Sequence, residues 1–255
     1  MLLRHDLKNL IVPFEGSDKI KTNYSEVFQD IFVLQCLDGK KEGIYLEIGA
    51  ADAVSGNNTY LLEKEFGWTG LSIDYDWMDG NYTSITCDDQ TFTLSGFHTY
   101  WTEKWYKDRD QPLLLTNAIT CDWKNVLENN LLVPEGKLRW DNGSLIKKIT
   151  IDYLQVDIDP PGGTYKCLER LPFDAVDFKV ITYEHDAYRE PKWRLKSRKF
   201  LESKGYVLIA GNISKECCSP FEDWWVNLKY MDEINPLIIR NTFEHSLPVM
   251  EYLFK

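Results

Sequence analysis

The sequence predicts an α/β protein, doubly wound around a mostly parallel seven-stranded sheet. Three observations carry that expectation. Its strand-like segments are short apolar runs with little alternation, the pattern of strands covered on both faces. Helical patterns alternate with them at the spacing of βαβ units. The 255 residues are 44% hydrophobic and 14% aromatic, enough apolar surface to offset chain entropy around one large core.

Taken in order, residues 1–40 read as an N-terminal helical extension and residues 41–255 as the main domain. Ile44 to Gly49 is the first strand, followed by a turn of small residues and a helix from Thr59 to Phe66. Gly70 to Asp74 is the second strand. Residues 79–110 lack a clean period and are rich in Thr, Asp and aromatics, which marks an insert or lid. Leu113 to Ile119 is the third strand, and Asp122 is placed to cap a helix running to Leu131. Tyr153 to Asp157 follows, then a Pro-Pro-Gly-Gly turn and a helix from Thr164 to Leu171. Phe178 to Glu184 is the fifth strand, and a helix from Trp193 to Lys204 ends before Gly205. Gly205 to Ala210 and Trp224 to Leu228 complete the sheet.

Acidic residues outnumber basic ones, and the formal charge is −11. Such a surface repels phosphate backbones and anionic lipid, which argues against general nucleic-acid or membrane-surface binding. No apolar run reaches the roughly 18–20 residues of a membrane span. The charged start, Met1 to Lys8, does not read as a signal peptide. The six cysteines form no CxxC and read as reduced thiols, so a cytoplasmic setting is expected. The vicinal pair Cys217–Cys218 reads as structural.

In doubly wound sheets, ligands bind beyond the carboxyl ends of the strands at the switch point. The segment there is Glu47-Ile48-Gly49-Ala50-Ala51-Asp52, continuing through Ser55-Gly56-Asn57-Asn58-Thr59. Its small residues allow backbone to approach a ligand closely. Asp74, ending the second strand, stands where a carboxylate takes both ribose hydroxyls of an adenosine. The turn is not a GxGxxG, and Glu47 and Asp52 would repel a pyrophosphate. S-adenosylmethionine, with its sulfonium and ammonium, suits an acidic turn better than a nicotinamide dinucleotide. The competing reading is a plain tight turn with Asp52 as a cap.

These residues, with Leu62 to Gly70, resemble the opening motif of the FkbM-type methyltransferases. Tyr24 to Val33 resembles the helix before that motif, and Ile151 to Asp159 and Val180 to Asp186 resemble later strands. Phe200 to Tyr206 and Glu222 to Val226 are similar to the last third, so the likeness spans roughly residues 24–228. The resemblance implies a class I, Rossmann-like fold using S-adenosylmethionine to methylate a hydroxyl of a saccharide or sugar conjugate. It implies cofactor contacts at Glu47, Gly49, Ala50, Asp52, Asn57 and Thr59, with Asp74 on the ribose. Asn117 and Ala118 would sit near the adenine, with Asp122 close by. Ala51 and Ala53 depart from the family's usual Asn and Gly, and no Pro follows Asp74.

A sugar hydroxyl is a poor nucleophile, so a base or a metal must help to remove its proton. Two mechanisms fit the strand ends. In one, His185 is the general base, oriented by Asp157 or Glu184. In the other, Asp157, Asp159 and Glu184 hold a divalent ion, and an oxygen-rich set favours Mg²⁺ or Mn²⁺. His185 is the preferred base here, because it alone of four histidines sits between two acids at a strand end. Trp101, Trp105 and Tyr106 with Lys104, Lys107 and Arg109 would form an acceptor platform with cations for a phosphate, or simply a solvated helix. The basic run from Arg189 to Lys199 would attract a nucleotide-linked sugar, or be a helix's exposed face. Trp224 and Trp225 would stack on a sugar face or, as the preferred reading, pack in the core. The rival functions are the same chemistry on a lipid, peptide or small metabolite, and a methyltransferase-fold binding protein without turnover. The sequence sets neither the acceptor nor the oligomeric state.

Overall fold

The computed structural model describes residues 7–75, 84–87, 90–93, 106, 109–131, 140–141, 144–145, 148–215, 219–240 and 249–255. Seven strands form one sheet: β1 (Ile44–Ile48), β2 (Thr69–Asp74), β5 (Leu113–Leu115), β8 (Ile149–Val156), β9 (Val176–Glu184), β10 (Tyr206–Ile213) and β11 (Glu222–Asn227). Their order is β10-β11-β9-β8-β1-β2-β5. The pairs among β5, β2, β1, β8 and β9 are parallel, and β11 runs antiparallel to both β9 and β10. The doubly wound, mostly parallel seven-stranded sheet is therefore as expected, with β11 as its single reversed strand. Two small antiparallel pairs lie outside it, β3 (Ser84–Cys87) with β4 (Gln90–Thr93), and β6 (Trp140–Asp141) with β7 (Ser144–Leu145).

Every side chain of β1 is buried, which is what apolar residues on a central strand require. Between β1 and β8 the chain reverses its direction of travel across the sheet. From β1 it proceeds to β2 and β5; from β8 it proceeds to β9 on the other side. This is the switch point where a crevice opens beyond the strand ends.

Helices cover both faces. One face carries α1 (Gln29–Cys36), α2 (Tyr60–Phe66) and the C-terminal helix Val249–Leu253. All eight residues of α1 are buried, and Phe32 stacks on Trp224 with ring centroids 4.4 Å apart. The N-terminal segment is thus built into the core. The other face carries α3 (Trp123–Asn130), α4 (Pro161–Arg170) and α5 (Pro191–Ser203). Asp122 caps α3 by accepting from the amides of Lys124 and Asn125. Helix α4 starts at Pro161, three residues earlier than expected, because proline at a first turn has no amide to leave unpaired. Strand β5 is shorter than expected, since Asn117 turns the chain by accepting from Ile119 and Thr120.

Most of the stretch 79–110, including Trp101, Lys104, Trp105 and Lys107, lies outside the described residues, as do Cys217 and Cys218. No helix among the described residues is long and apolar enough to cross a membrane.

Candidate functional site

A cavity of about 230 Å³ opens at the switch point. Ile48, Gly49 and Ala51 wall it from β1 and its turn; Ile73, Asp74 and Tyr75 from β2; Thr116 to Ile119 from the end of β5. Asp157, Ile158, Asp159, Pro160 and Gly163 close it from β8 and the start of α4. Walls are mainly apolar with a few carboxylates, the make-up of a small-molecule site. Of the expected cofactor contacts, Gly49, Asp74, Asn117 and Ala118 line this cavity.

The turn is tightly made. Gly49 has φ 82°, and a Cβ there would lie 1.6 Å from the carbonyl oxygen of Asp157. Only glycine allows β1 and β8 to approach so closely at the cavity rim. The amides of Gly49 and Ala50 donate to Ile73 O at 2.9 and 3.2 Å. The amide of Ala51 donates to Asp74 Oδ2 at 2.8 Å and so fixes that carboxylate at the β2 end. With these amides committed, the turn offers no nest for a pyrophosphate. Asp52 is a local cap, accepting from Val54 and Ser55 at 2.8 and 2.9 Å.

Glu47, Asn57 and Thr59 lie behind the turn rather than on the cavity wall. Glu47 is 1% exposed, and its Oε2 accepts from Ser72 Oγ at 2.7 Å, Thr59 Oγ1 at 3.0 Å and Tyr106 OH at 3.2 Å. Burial pushes its carboxyl above the usual range, against the pull of Arg109 and these donors. Arg109 completes the group through a 2.7 Å contact to Glu63. It is buried, so the expectation of a cation open to an acceptor phosphate is corrected: the guanidinium balances Glu47 and Glu63 inside the protein. Nothing in the local sequence marks Arg109 as an inward residue. Its partners lie some 50 positions away (109 to 59 and 63).

On the other side of the cavity, Asp157 and Glu184 end the neighbouring parallel strands β8 and β9 and hydrogen-bond to each other. Burial raises both carboxyls; Asp157 raises Glu184 further, while the hydrogen bond with Glu184 pulls Asp157 down in part. Asp157 is pushed up to about 7, and Glu184 well above the usual range. Glu222, the β11 residue in register with Glu184, is pushed by burial to about 8. Of the three only Asp157 lines the cavity; Glu222 is buried, accepting from Gln29 Nε2 at 2.8 Å and Trp224 Nε1 at 2.5 Å.

His185 is not available as a base. It is fully buried, and its Nδ1 accepts from the amide of Ala187 at 3.0 Å. Its Nε2 lies 3.4 Å from Asp223 Oδ1. Both nitrogens face protein, and the ring is absent from the cavity wall. Asp223 is held well below the usual carboxylate range: burial alone would raise it, but His185 and Arg198 more than offset that. Arg198 grips it with Nε and Nη2 at 2.8 and 2.9 Å. The expected general base is thus part of a buried ionic cluster joining β9, β11 and α5.

The expected metal set does not assemble either. Asp159 turns to Arg189, 2.5 Å away, and Arg189 also holds Asp186 at 2.8 Å. Among the described residues no group of three or more His, Cys, Asp or Glu is arranged to hold a metal ion. Among the described residues, Asp157, Asp159 and Glu184 do not make a set that fits Mg²⁺ or Mn²⁺. The basic run is largely engaged too. Arg194 and Arg198 reach Asn212, while Lys192 and Lys196 lie over the ring of Trp193. Trp224 and Trp225 are fully buried, as expected of core.

No protein-family model matches the chain, and no curated protein matches it. Among solved structures, one described as "putative rRNA-methylase from Clostridium thermocellum" is similar at 10% identity, covering 82% of this chain and 100% of that one, with a TM-score of 0.47.

Proposed function

We propose that the chain is an S-adenosylmethionine-dependent O-methyltransferase whose acceptor is a hydroxyl of a saccharide or sugar conjugate. The observation that carries the reading is the switch-point cavity, with Asp74 fixed on one side and the Asp157–Glu184 pair on the other. The cofactor's adenosine suits the first side. Asp74, held at the cavity wall by the amides of Ala51 and Tyr75, places its carboxylate where the ribose hydroxyls would lie, and Ile73, Ala118 and Ile119 provide apolar walls for the base. Bound there, S-adenosylmethionine supplies an electrophilic methyl group on a sulfonium.

The chain's own work is to hold, align and deprotonate. The apolar walls exclude water and keep the reactants in line. Asp157, at the cavity edge, takes the acceptor's proton as the oxygen forms its bond to carbon and the sulfur keeps the bonding pair. A carboxyl pushed up to about 7 is matched to that task near neutral pH. Glu184 stands beside it as its hydrogen-bond partner.

The −11 charge disfavours phosphate-bearing acceptors. A neutral glycan or glycoside fits better than a nucleotide-linked sugar. The ribosomal RNA named for the C. thermocellum protein is disfavoured on the same ground. A lipid, peptide or small metabolite acceptor is the second reading, since the same carboxyl groups accept any neutral or cationic nucleophile.

The test is methyl incorporation from labelled S-adenosylmethionine into a panel of neutral oligosaccharides, nucleotide sugars, cationic peptides and RNA. Transfer to the neutral sugars, abolished in Asp157→Asn, supports the reading. Transfer to RNA or nucleotide sugars alone overturns the acceptor assignment.

A further inference from the structure

We infer that Arg109 is a positioning residue that sets the cofactor turn and, through it, the Asp74 carboxylate; the inference rests on the cofactor reading above. The guanidinium has 1% of its side chain exposed. Its Nε donates to Glu63 Oε2 at 2.7 Å. Its Nη1 donates to Ala53 O at 2.8 Å and Asn57 Oδ1 at 3.0 Å. Its Nη2 donates to Thr59 Oγ1 at 2.9 Å and Tyr45 OH at 3.1 Å. The rings of Tyr106 and Tyr60 lie 5.2 and 5.6 Å from its central carbon. Five contacts from one rigid fork reach β1, the turn and α2 together.

The connection continues to the cavity. Asn57, held by Arg109, donates its side-chain amide to Ala50 O at 3.3 Å and Asp52 O at 3.1 Å. Those are the carbonyls on either side of Ala51. Ala51 sits at φ 47°, an unfavourable value for a residue with a Cβ, and its amide donates to Asp74. A strained residue persists only where its surroundings over-determine it. Here those surroundings are Asn57, itself locked by Arg109.

A purely structural role would be charge balance for the buried Glu47 and Glu63. Arg109→Lys separates the two roles. Lysine keeps the charge but, as a point donor on a flexible stem, cannot span Glu63, Ala53 O, Asn57 and Thr59 at once. Calorimetric titration with S-adenosylhomocysteine and native-state hydrogen exchange without ligand are measured on the full chain for wild type, Arg109→Lys and Tyr106→Phe. The last is a mild variant, losing only the hydroxyl shared with Asn57 and Glu47. For Arg109→Lys we expect binding weaker by tenfold or more and amides of residues 50–55 exchanging at least tenfold faster. Tyr106→Phe should show a smaller change of the same sign, and it serves if Arg109→Lys fails to fold. A variant that loses thermal stability but binds and exchanges like wild type overturns the inference. If wild type binds no S-adenosylhomocysteine, the cofactor reading fails, and the exchange arm still decides: faster exchange in the variants supports the clamp, and unchanged exchange overturns it.

Discussion

Gly49→Ala and Gly56→Ala form a matched pair that isolates the close approach of β1 to β8. Both glycines lie in the turn after β1, at φ 82° and 79°. A Cβ at Gly56 meets nothing within 4 Å, whereas at Gly49 it lies 1.6 Å from Asp157 O and 2.7 Å from that carbonyl carbon. The backbone penalty for alanine in this conformation is about 1–2 kcal/mol at either site. A smaller gain of about 0.4–1 kcal/mol comes from restricting the unfolded chain. Gly56→Ala should therefore cost about 1 kcal/mol. At Gly49 the strand ends must also separate until contact is ordinary, at 3.4 Å or beyond. That movement strains the bond from Asp157 N to Ile48 O, 3.0 Å long here, worth about 1 kcal/mol, and it reshapes the cavity rim. With about 1 kcal/mol more for forcing a methyl group into closed packing, Gly49→Ala should cost about 3 kcal/mol. At about 2–4 °C per kcal/mol for a chain of this size, thermal unfolding followed by circular dichroism should show a drop of about 6–12 °C. For Gly56→Ala the drop should be about 2–4 °C. S-adenosylhomocysteine binding should be lost in Gly49→Ala and within about threefold of wild type in Gly56→Ala. Equal melting and equal binding in the two variants would refute the packing argument.

Asp157→Asn should cut turnover at least a hundredfold while leaving S-adenosylhomocysteine affinity within about threefold, measured by initial rates and calorimetry. Because Asp157 is raised from 3.8 to about 7, the base form accumulates as pH rises, so wild-type turnover should climb through pH 7. The linkage has the opposite sign for stability: the folded chain holds this proton more tightly than the unfolded chain, so stability falls as pH rises from about 4 to 7 and is flat beyond. A turnover profile flat between pH 6 and 8 would count against the pair as base. Arg198→Met leaves Asp223 buried without its guanidinium and should cost about 3–5 kcal/mol in denaturant unfolding; a loss below 1 kcal/mol would contradict the assigned cluster. Turnover in excess EDTA should equal turnover in Mg²⁺, since the carboxylates do not assemble a metal site among the described residues. Loss in EDTA restored by Mg²⁺ would reinstate one.

Much of the fold is legible because local signals agree with the tertiary arrangement. The apolar runs of β1, β8 and β9 carry no alternation, and the sheet covers both their faces. Asp122 before α3 marks a helix start that the structure keeps, whereas α5 starts at Pro191, two residues before the expected Trp193. Gly49 and Asp74 are legible from their positions at two strand ends, and both reach the cavity. His185 misleads because sequence shows its neighbours Glu184 and Asp186 but not what encloses it. Asp223 arrives from β11 because that strand inserts antiparallel beside β9, and Arg198 arrives from a helix packed above. Glu47 reads as a cavity residue from its place in the motif. Its side chain instead pairs with Ser72 across β1 and β2, in register on the face turned away. Asp159 fails as a ligand because Arg189, exposed in sequence terms, folds back onto it. In each case the deciding partner is distant in the chain.

As proposed above, the switch-point cavity takes the cofactor and Asp74 anchors it. The most direct measurement is calorimetric titration of the wild-type chain and Asp74→Asn with S-adenosylmethionine and S-adenosylhomocysteine, with NADH as the control ligand. Binding of the first two should be micromolar and weakened at least tenfold in Asp74→Asn, with both proteins melting within about 2 °C of each other and no binding of NADH. Wild-type protein that binds NADH, or that binds neither S-adenosyl compound, would contradict the proposal.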